Sequence, residues 1–162
     1  MGNRNKSRRE DEKTYQDFYE FRCIDDRLKC VYCDFSRQCL DHVPPISVVR
    51  KIGLKKIREE SLNLFLLPSC NACNLALSSR PLGTYGERLS FLYSYYSKKI
   101  ESKTLWGEDE IEELSGNLKM MIAAKQKFIR QELIARIRSI EFNMLDVDSR
   151  EAQLDSINLF LR

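Results

Sequence analysis

Two Cys-x-x-Cys pairs constrain the fold of this chain more than any other feature. Cys30 and Cys33 form the first pair, and Cys70 and Cys73 form the second, with 36 residues between them. Two intervening residues let one tight turn point both sulfurs at the same ion, and two such turns complete a tetrahedral zinc site. The spacing therefore predicts a four-thiolate Zn²⁺ centre. A closed site of this kind is structural, because it keeps no open position for a substrate.

Other interpretations of the six cysteines stay open. The four paired residues are also compatible with buried core thiols or with one redox-active pair. Disulfides are a poor explanation, because residues 1–30 show no secretory signal and a reducing cytosol keeps thiols free. Cys23 and Cys39 are expected to be small core residues.

Composition favours one soluble, helix-rich protein. The chain has 162 residues, of which 43% are hydrophobic and 31% are charged. Its longest uncharged apolar run, Leu62 to Leu67, is far too short to cross a membrane. We therefore expect a cytoplasmic protein without a membrane partner.

Charge and hydrophobic patterning predict three segments. Residues 1–13 are expected to form a flexible basic arm, residues 14–100 a zinc-bound domain, and residues 101–162 a helical extension. The arm is either a solvated terminus or a phosphate-contacting tail. Its cations are Arg4, Lys6, Arg8 and Arg9.

The single histidine, His42, lies between the two cysteine pairs. It follows Asp41 and precedes Val43-Pro44-Pro45, where the prolines favour an extended backbone. Asn74 directly follows the last paired cysteine, in the first turn of a helix predicted to run to about Ser79. A helix start offers N–H groups to a phosphate, and a simple capping role is the alternative.

This order of motifs resembles the HNH (ββα-metal) endonuclease superfamily. The motifs are Cys-x-x-Cys, then Asp-His-Val-Pro, then Cys-x-x-Cys-Asn, and the stretch from Cys70 to Ala76 is similar to phage endonuclease VII-like members. The stretch from Leu67 to Tyr96 also looks like small phage HNH proteins. The resemblance covers residues 23 to about 97.

The resemblance implies a catalytic site. His42 would be the general base, and Asp41 and Asn74 would ligate Mg²⁺ or Mn²⁺, which prefer hard oxygen ligands. The final histidine of the HNH pattern is absent here, and members with asparagine in its place exist. Asn63, or less favourably Asn71, is a candidate for the middle asparagine.

The predicted fold class is α+β and mostly helical, with a small zinc-stabilised ββα-metal core and a helical C-terminal extension. Strands are predicted near residues 36–40 and 62–67. Helices are predicted over residues 12–22, over 48–57 with Gly53 as a weak point, from Thr84 to about 100, from 108, and over a long segment to about 145. The capping-box pair Thr84 and Glu87 starts the third of these helices.

Basic and aromatic residues supply further candidates for DNA contacts. Arg80 and Arg88 are candidate phosphate clamps. Lys55 and Lys56 belong to a basic insert that either follows a DNA backbone or is a solvated face. Tyr85, Tyr93 and Tyr96 recur with Leu89 and Leu92 at helical spacing, which favours a core stripe over a base-stacking platform.

The long C-terminal helix needs a partner for its apolar face. We place Leu118, Met121, Ile129, Leu133 and Ile140 on that face and Arg136 and Arg138 on the basic side. The partner is the rest of the chain, residues 150–162 folded back, or a second copy in a homodimer.

The leading functional hypothesis is a metal-dependent HNH endonuclease or nickase that cuts DNA, in phage DNA processing. The alternative is a non-catalytic zinc module that binds nucleic acid or a protein partner. A redox protein that uses one Cys-x-x-Cys pair is a third interpretation.

Overall fold

A computed structural model describes residues 13–59, 62–102 and 106–156, so the predicted arm over residues 1–12 lies outside the described residues. The fold is α+β and mostly helical, with a small mixed sheet and a long C-terminal helix.

The sheet has three strands: β1 (Glu20–Phe21), β2 (Cys39–Val43) and β3 (Phe65–Ser69). Strand β3 is central and runs antiparallel to β2 and parallel to β1. The predicted antiparallel pairing of the two main strands is confirmed. Strand β1 was not predicted, because residues 12–22 were expected to form one helix. Among the described residues of that segment, only 13–16 are helical. The main-chain bonds that make β1 a strand go to Leu64 and Leu66, more than 40 residues away in sequence.

Strand β2 begins later than predicted. Residues 28–38 form the turn of the first cysteine pair, closed by the Lys29–Ser36 bridge and a main-chain bond from Arg37 to Leu28. Asp41 and His42 consequently lie inside β2, opposite Leu67 and Leu66 of β3. Successive side chains of a strand point to opposite faces, so these two side chains point apart.

The basic insert forms two short helices, α1 (Ile46–Ile52) and α2 (Leu54–Glu59). They meet at Gly53, whose φ of 85° is readily accessible only to glycine. Gly53 therefore divides the helix that was predicted as one.

Helix α3 (Asn71–Leu77) follows β3 directly, and helix α4 (Tyr85–Glu101) begins at the predicted capping box. Thr84 Oγ1 accepts a hydrogen bond from the Glu87 main-chain N–H, and Glu87 Oε2 accepts one from the Thr84 N–H, both at 3.1 Å. The remaining helices are α5 (Glu108–Glu112), α6 (Gly116–Leu145) and α7 (Val147–Ser156). The predicted helices from 108 and to 145 are confirmed.

The two faces of the sheet pack against two different clusters of apolar side chains. The main cluster joins Val43, Phe65 and Leu67 to the paired cysteines and to α4, α6 and α7. Segments on both sides of residue 100 therefore share one core. The second cluster is smaller, and its buried members are Tyr15, Tyr19, Val49, Ile57 and Leu64.

Helix α4 buries the predicted aromatic stripe, which confirms the core interpretation for Tyr85, Leu89, Leu92 and Tyr96. Helix α6 fits its prediction less well. Leu133 and Ile140 are buried, but Leu118 and Met121 are exposed. Arg136, which we placed on the solvent side, is buried instead.

None of the described helices is long and apolar enough to cross a membrane.

Candidate metal centre and active site

Four buried cysteine sulfurs form one cluster. The Sγ atoms of Cys30, Cys33, Cys70 and Cys73 all lie within 4.8 Å of one another. A tetrahedral ion with Zn–S bonds of about 2.3 Å sets its sulfurs about 3.8 Å apart. The observed separations of 3.7 Å between Cys33 and Cys70 and 3.5 Å between Cys33 and Cys73 fit that geometry. The sulfurs are thus placed to hold a metal ion such as Zn²⁺.

Two local structures present these sulfurs. The first pair sits in a turn in which the Cys30 N–H donates to Phe35 O and the Asp34 N–H donates to Cys30 O. In the second pair, Cys70 is the N-cap of α3, and its Sγ accepts the Cys73 N–H at 3.4 Å. The cluster therefore joins the turn before β2 to the start of α3.

The sulfurs perturb one another strongly. Hydrogen bonds from Cys30, Cys33 and Cys73 lower the pKa of Cys70 well below its usual value. The same shared bonds raise the pKa of Cys73. The pKa of Cys30 is lowered as well, chiefly by its hydrogen bond with Cys33.

Arg136 completes the surroundings of the cluster, and the sequence did not reveal it as a site residue. Its Nη1 donates to Cys33 Sγ at 2.9 Å and to Cys70 Sγ at 3.0 Å. The signal that could have revealed it is its position between Leu133 and Ile140, at spacings of three and four, which puts it on the buried face of α6.

Asp41 lies on the cysteine side of the sheet, with only 3% of its surface exposed. Its Oδ2 accepts hydrogen bonds from Tyr32 Oη at 2.7 Å and from the Arg88 guanidinium. Arg88 also donates to the carbonyl oxygens of Leu82 at 3.1 Å and His42 at 3.2 Å. Asp41 is therefore engaged in a buried ion pair in this structure.

The electrostatics of Arg88 and Tyr32 follow from this pair. Burial lowers the pKa of Arg88, but its interactions with Tyr32 and Asp41 outweigh that effect and keep the pKa above its usual value. Burial, together with the charge of Asp41, raises the pKa of Tyr32. Arg88 therefore stays charged and Tyr32 stays protonated, and Arg88 is buried away from any phosphate.

His42 is half-buried on the opposite face of β2. Its ring meets the ring of Tyr19 edge to face, with centroids 4.8 Å apart. Tyr19 in turn donates a hydrogen bond to Pro44 O at 2.7 Å. Tyr19 belongs to the second cluster together with Val49 and Ile57 of α1 and α2, so His42 faces the side that carries the basic insert.

Asn74 lies in the first turn of α3, where its side chain reaches the start of β2. Its Nδ2 donates to Cys39 Sγ at 3.3 Å, and the Cys39 thiol donates to Ser69 O at 3.3 Å. The structure thus places the Asn74 side chain against Cys39, at the start of the edge strand β2.

The other predicted contact residues are spread over the surface. Arg80 donates to Ala76 O at 3.0 Å at the end of α3, and its guanidinium lies 4.5 Å from the Phe91 ring centroid. Lys55 and Lys56 are exposed on α2, and Lys55 pairs with Glu59 at 3.8 Å. Asn63 is exposed just before β3, and Asn71 is exposed at the first position of α3.

Comparisons of the chain with protein-family models, with curated proteins and with solved structures give no match. The geometry of the chain itself is therefore what supports a functional assignment.

Proposed function

We propose that the four cysteines bind a structural Zn²⁺ ion. The observation that supports this is the enclosure of four sulfurs at separations that suit Zn–S bonds, without an open ligand position. The ion ties the first cysteine turn to α3 and so holds β2, β3 and α3 together.

On that scaffold we propose a metal-dependent HNH endonuclease or nickase that hydrolyses DNA. The supporting observation is the order of elements: an antiparallel strand pair is followed directly by a helix, with Asp41-His42 on the first strand and Asn74 in the first turn of the helix. This order supports the ββα-metal core that the sequence resemblance predicts.

In this proposal His42 is the general base. The reference pKa of a histidine side chain is about 6.5, so a neutral imidazole can accept a proton from water at physiological pH. Asn74 and Asp41 would hold a Mg²⁺ or Mn²⁺ ion through an amide oxygen and a carboxylate oxygen. Such an ion would supply stabilisation of the charge that develops on the phosphate and the leaving oxygen.

The ion pair between Asp41 and Arg88 sets a condition on this mechanism. The divalent ion has to use Asp41 Oδ1, or it has to displace Arg88 from Oδ2. Arg88 is therefore better described as a residue that positions Asp41 and the His42 carbonyl than as a phosphate clamp.

The basic insert is the proposed DNA-contacting surface. Lys55 and Lys56 are exposed on α2, which packs on the same cluster as Tyr19, the ring partner of His42. Lysine side chains on this side of the sheet would contact the phosphate backbone of DNA, which gives affinity for DNA without sequence preference. Arg80 stays a candidate for the same role at the end of α3.

The second candidate is a zinc module that binds nucleic acid or a protein without cutting. The observation that favours it is the engagement of Asp41 with Tyr32 and Arg88, since a metal ligand is then occupied within the fold. Self-association through the exposed Leu118 and Met121 of α6 also remains a proposal.

Nicking of supercoiled plasmid in Mg²⁺ or Mn²⁺ tests the nuclease proposal. His42→Ala should lower the nicking rate by roughly 100-fold or more, because loss of a general base costs that much. Asn74→Ala should also lower the rate, because it removes a proposed ligand of the divalent ion. Asn117→Ala is the matched control, because Asn117 is an exposed asparagine in the first turn of α6 and is not part of the proposed site. Zinc content should be equal in all four proteins.

Two results would redirect the assignment. Nicking that survives His42→Ala would mean that another site or a contaminant is active. If the zinc-loaded wild type bound DNA in a salt-dependent manner but cut neither plasmid nor branched DNA, the binding-module proposal would replace the nuclease.

A further inference from the structure

The guanidinium of Arg136 reaches the cysteine cluster from the C-terminal helix. Its Nη1 lies 2.9, 3.0 and 3.7 Å from the Sγ atoms of Cys33, Cys70 and Cys73. One nitrogen therefore contacts three of the four candidate metal ligands. A cation so placed interacts with the whole charge of the centre.

Burial makes this contact consequential. The side chain of Arg136 is only 4% exposed, and its guanidinium carbon lies 4.1 Å from the Phe35 ring centroid and 5.3 Å from that of Tyr96. Its carboxylate partner is Glu132, at 2.9 Å on the same helix and itself 40% exposed. A buried charge is costly unless opposite charge compensates it, and a half-exposed glutamate is a weak compensation.

The metal-bound cysteine centre supplies the missing compensation. Cysteine binds zinc as thiolate, so four thiolates and one Zn²⁺ ion carry a net charge of −2. Hydrogen bonds from a cation to a thiolate are charge-assisted and stronger than bonds between neutral groups. Arg136 therefore favours the loaded centre, and the loaded centre favours a buried Arg136.

The same face of α6 also holds the first cysteine turn. Asn143 Nδ2 donates to Tyr32 O at 3.1 Å, and Ser139 Oγ donates to the Asp34 carboxylate. Arg136, Ser139 and Asn143 follow one another at spacings of three and four, so they line one stripe of the helix. When this stripe packs against the first cysteine turn, it places the Arg136 charge beside the sulfurs and holds the backbone of the turn.

We propose that Arg136 is the charge partner of the zinc centre, and that metal loading and docking of the C-terminal half of α6 are coupled. By linkage, a helix that favours metal binding is itself held in place by the metal to the same extent. This role is independent of any nuclease activity, since it concerns only the cysteine centre and α6.

The test compares Arg136→Met with Arg138→Met in the full-length zinc-loaded protein. Methionine keeps the apolar stem of residue 136 and removes the charge, while Arg138 is an exposed arginine two positions along the same helix. Transfer of zinc to a colorimetric chelator should be about 10- to 100-fold faster for Arg136→Met, the usual cost of removing an outer-shell partner of a metal ligand. Arg138→Met should match the wild type.

Hydrogen exchange of the wild type supplies a readout that needs no variant. Removal of zinc should lower amide protection over residues 133–145 together with that over residues 30–36. If the cysteine turn lost protection while residues 133–145 kept theirs, the coupling would be refuted.

Arg136→Lys keeps the positive charge but loses the forked donor geometry, and its zinc transfer should be intermediate. If Arg136→Met does not fold, the hydrogen-exchange comparison of the wild type decides the matter. Zinc transfer from Arg136→Met at the wild-type rate would overturn the proposal, as would a wild type that binds no zinc.

Discussion

The two faces of the small sheet are built by different means. The cysteine face packs against α4 and α6 and buries an unusual set of polar groups, namely Asp41, Arg88 and Arg136, each held by several bonds. The His42 face packs against a cluster with five buried side chains and two short basic helices. The difference teaches that two adjacent residues of one strand have opposite surroundings: Asp41 is buried in an ion pair, and His42 is half-buried beside an aromatic ring.

The largest expected effect comes from breaking the cysteine face at the metal. Cys70→Ser should abolish stoichiometric zinc binding, because the centre loses one of its four thiolates and the bond from Cys73 N–H to sulfur. The cooperative thermal transition should be lost with it, since binding energy of a structural zinc is folding energy. Metal analysis and circular dichroism melting measure both.

Cys23→Ser is the control for this prediction. Cys23 is half-buried and lies outside the cluster of four, so zinc content and melting should change little. A Cys70→Ser protein that lost its zinc but kept its cooperative transition would show that apolar packing alone holds this face.

A smaller effect is expected from the ion pair under β2. Asp41→Asn removes the charge that compensates the buried Arg88, so the free energy of unfolding should fall by about 3 kcal/mol. Urea unfolding followed by circular dichroism measures the change.

Glu59→Gln provides the comparison for Asp41→Asn. It breaks the exposed pair with Lys55 on the His42 side, and surface pairs of this kind change stability by less than about 1 kcal/mol. Equal effects of the two substitutions would remove the distinction between the faces.

The smallest effect should come from the His42 face itself. Tyr19→Phe removes the hydrogen bond to Pro44 O but keeps the ring against His42, so the free energy of unfolding should fall by about 1 kcal/mol. Tyr95→Phe, at an exposed position on α4, should leave it unchanged. If Tyr19→Phe lowered the free energy of unfolding by several kcal/mol, the His42 face would contribute more to stability than this comparison assigns to it.

Local features of the fold could be predicted because their causes are local. The Thr84 capping box, the break at Gly53 and the long helix ending at Leu145 depend on residues within a few positions of one another. The cysteine cluster is a long-range feature, but Cys-x-x-Cys spacing encodes its ligand pairs locally. In each of these cases, the residues that interact lie close together in the sequence, so the local sequence predicts the interaction.

The remaining features were decided by tertiary structure. Strand β1 exists because its partners are Leu64 and Leu66, and a window around Tyr19 favours a helix. Arg136 is buried because a turn 103 residues earlier brings thiols to it, which no local charge pattern contains. The sequence by itself determined the four candidate metal ligands and most helices. Packing of distant segments decided which face of β2 carries Asp41, which carries His42, and which charges are buried. The physical reason is that burial and charge compensation are properties of neighbours in space, and for this chain those neighbours lie far apart in sequence.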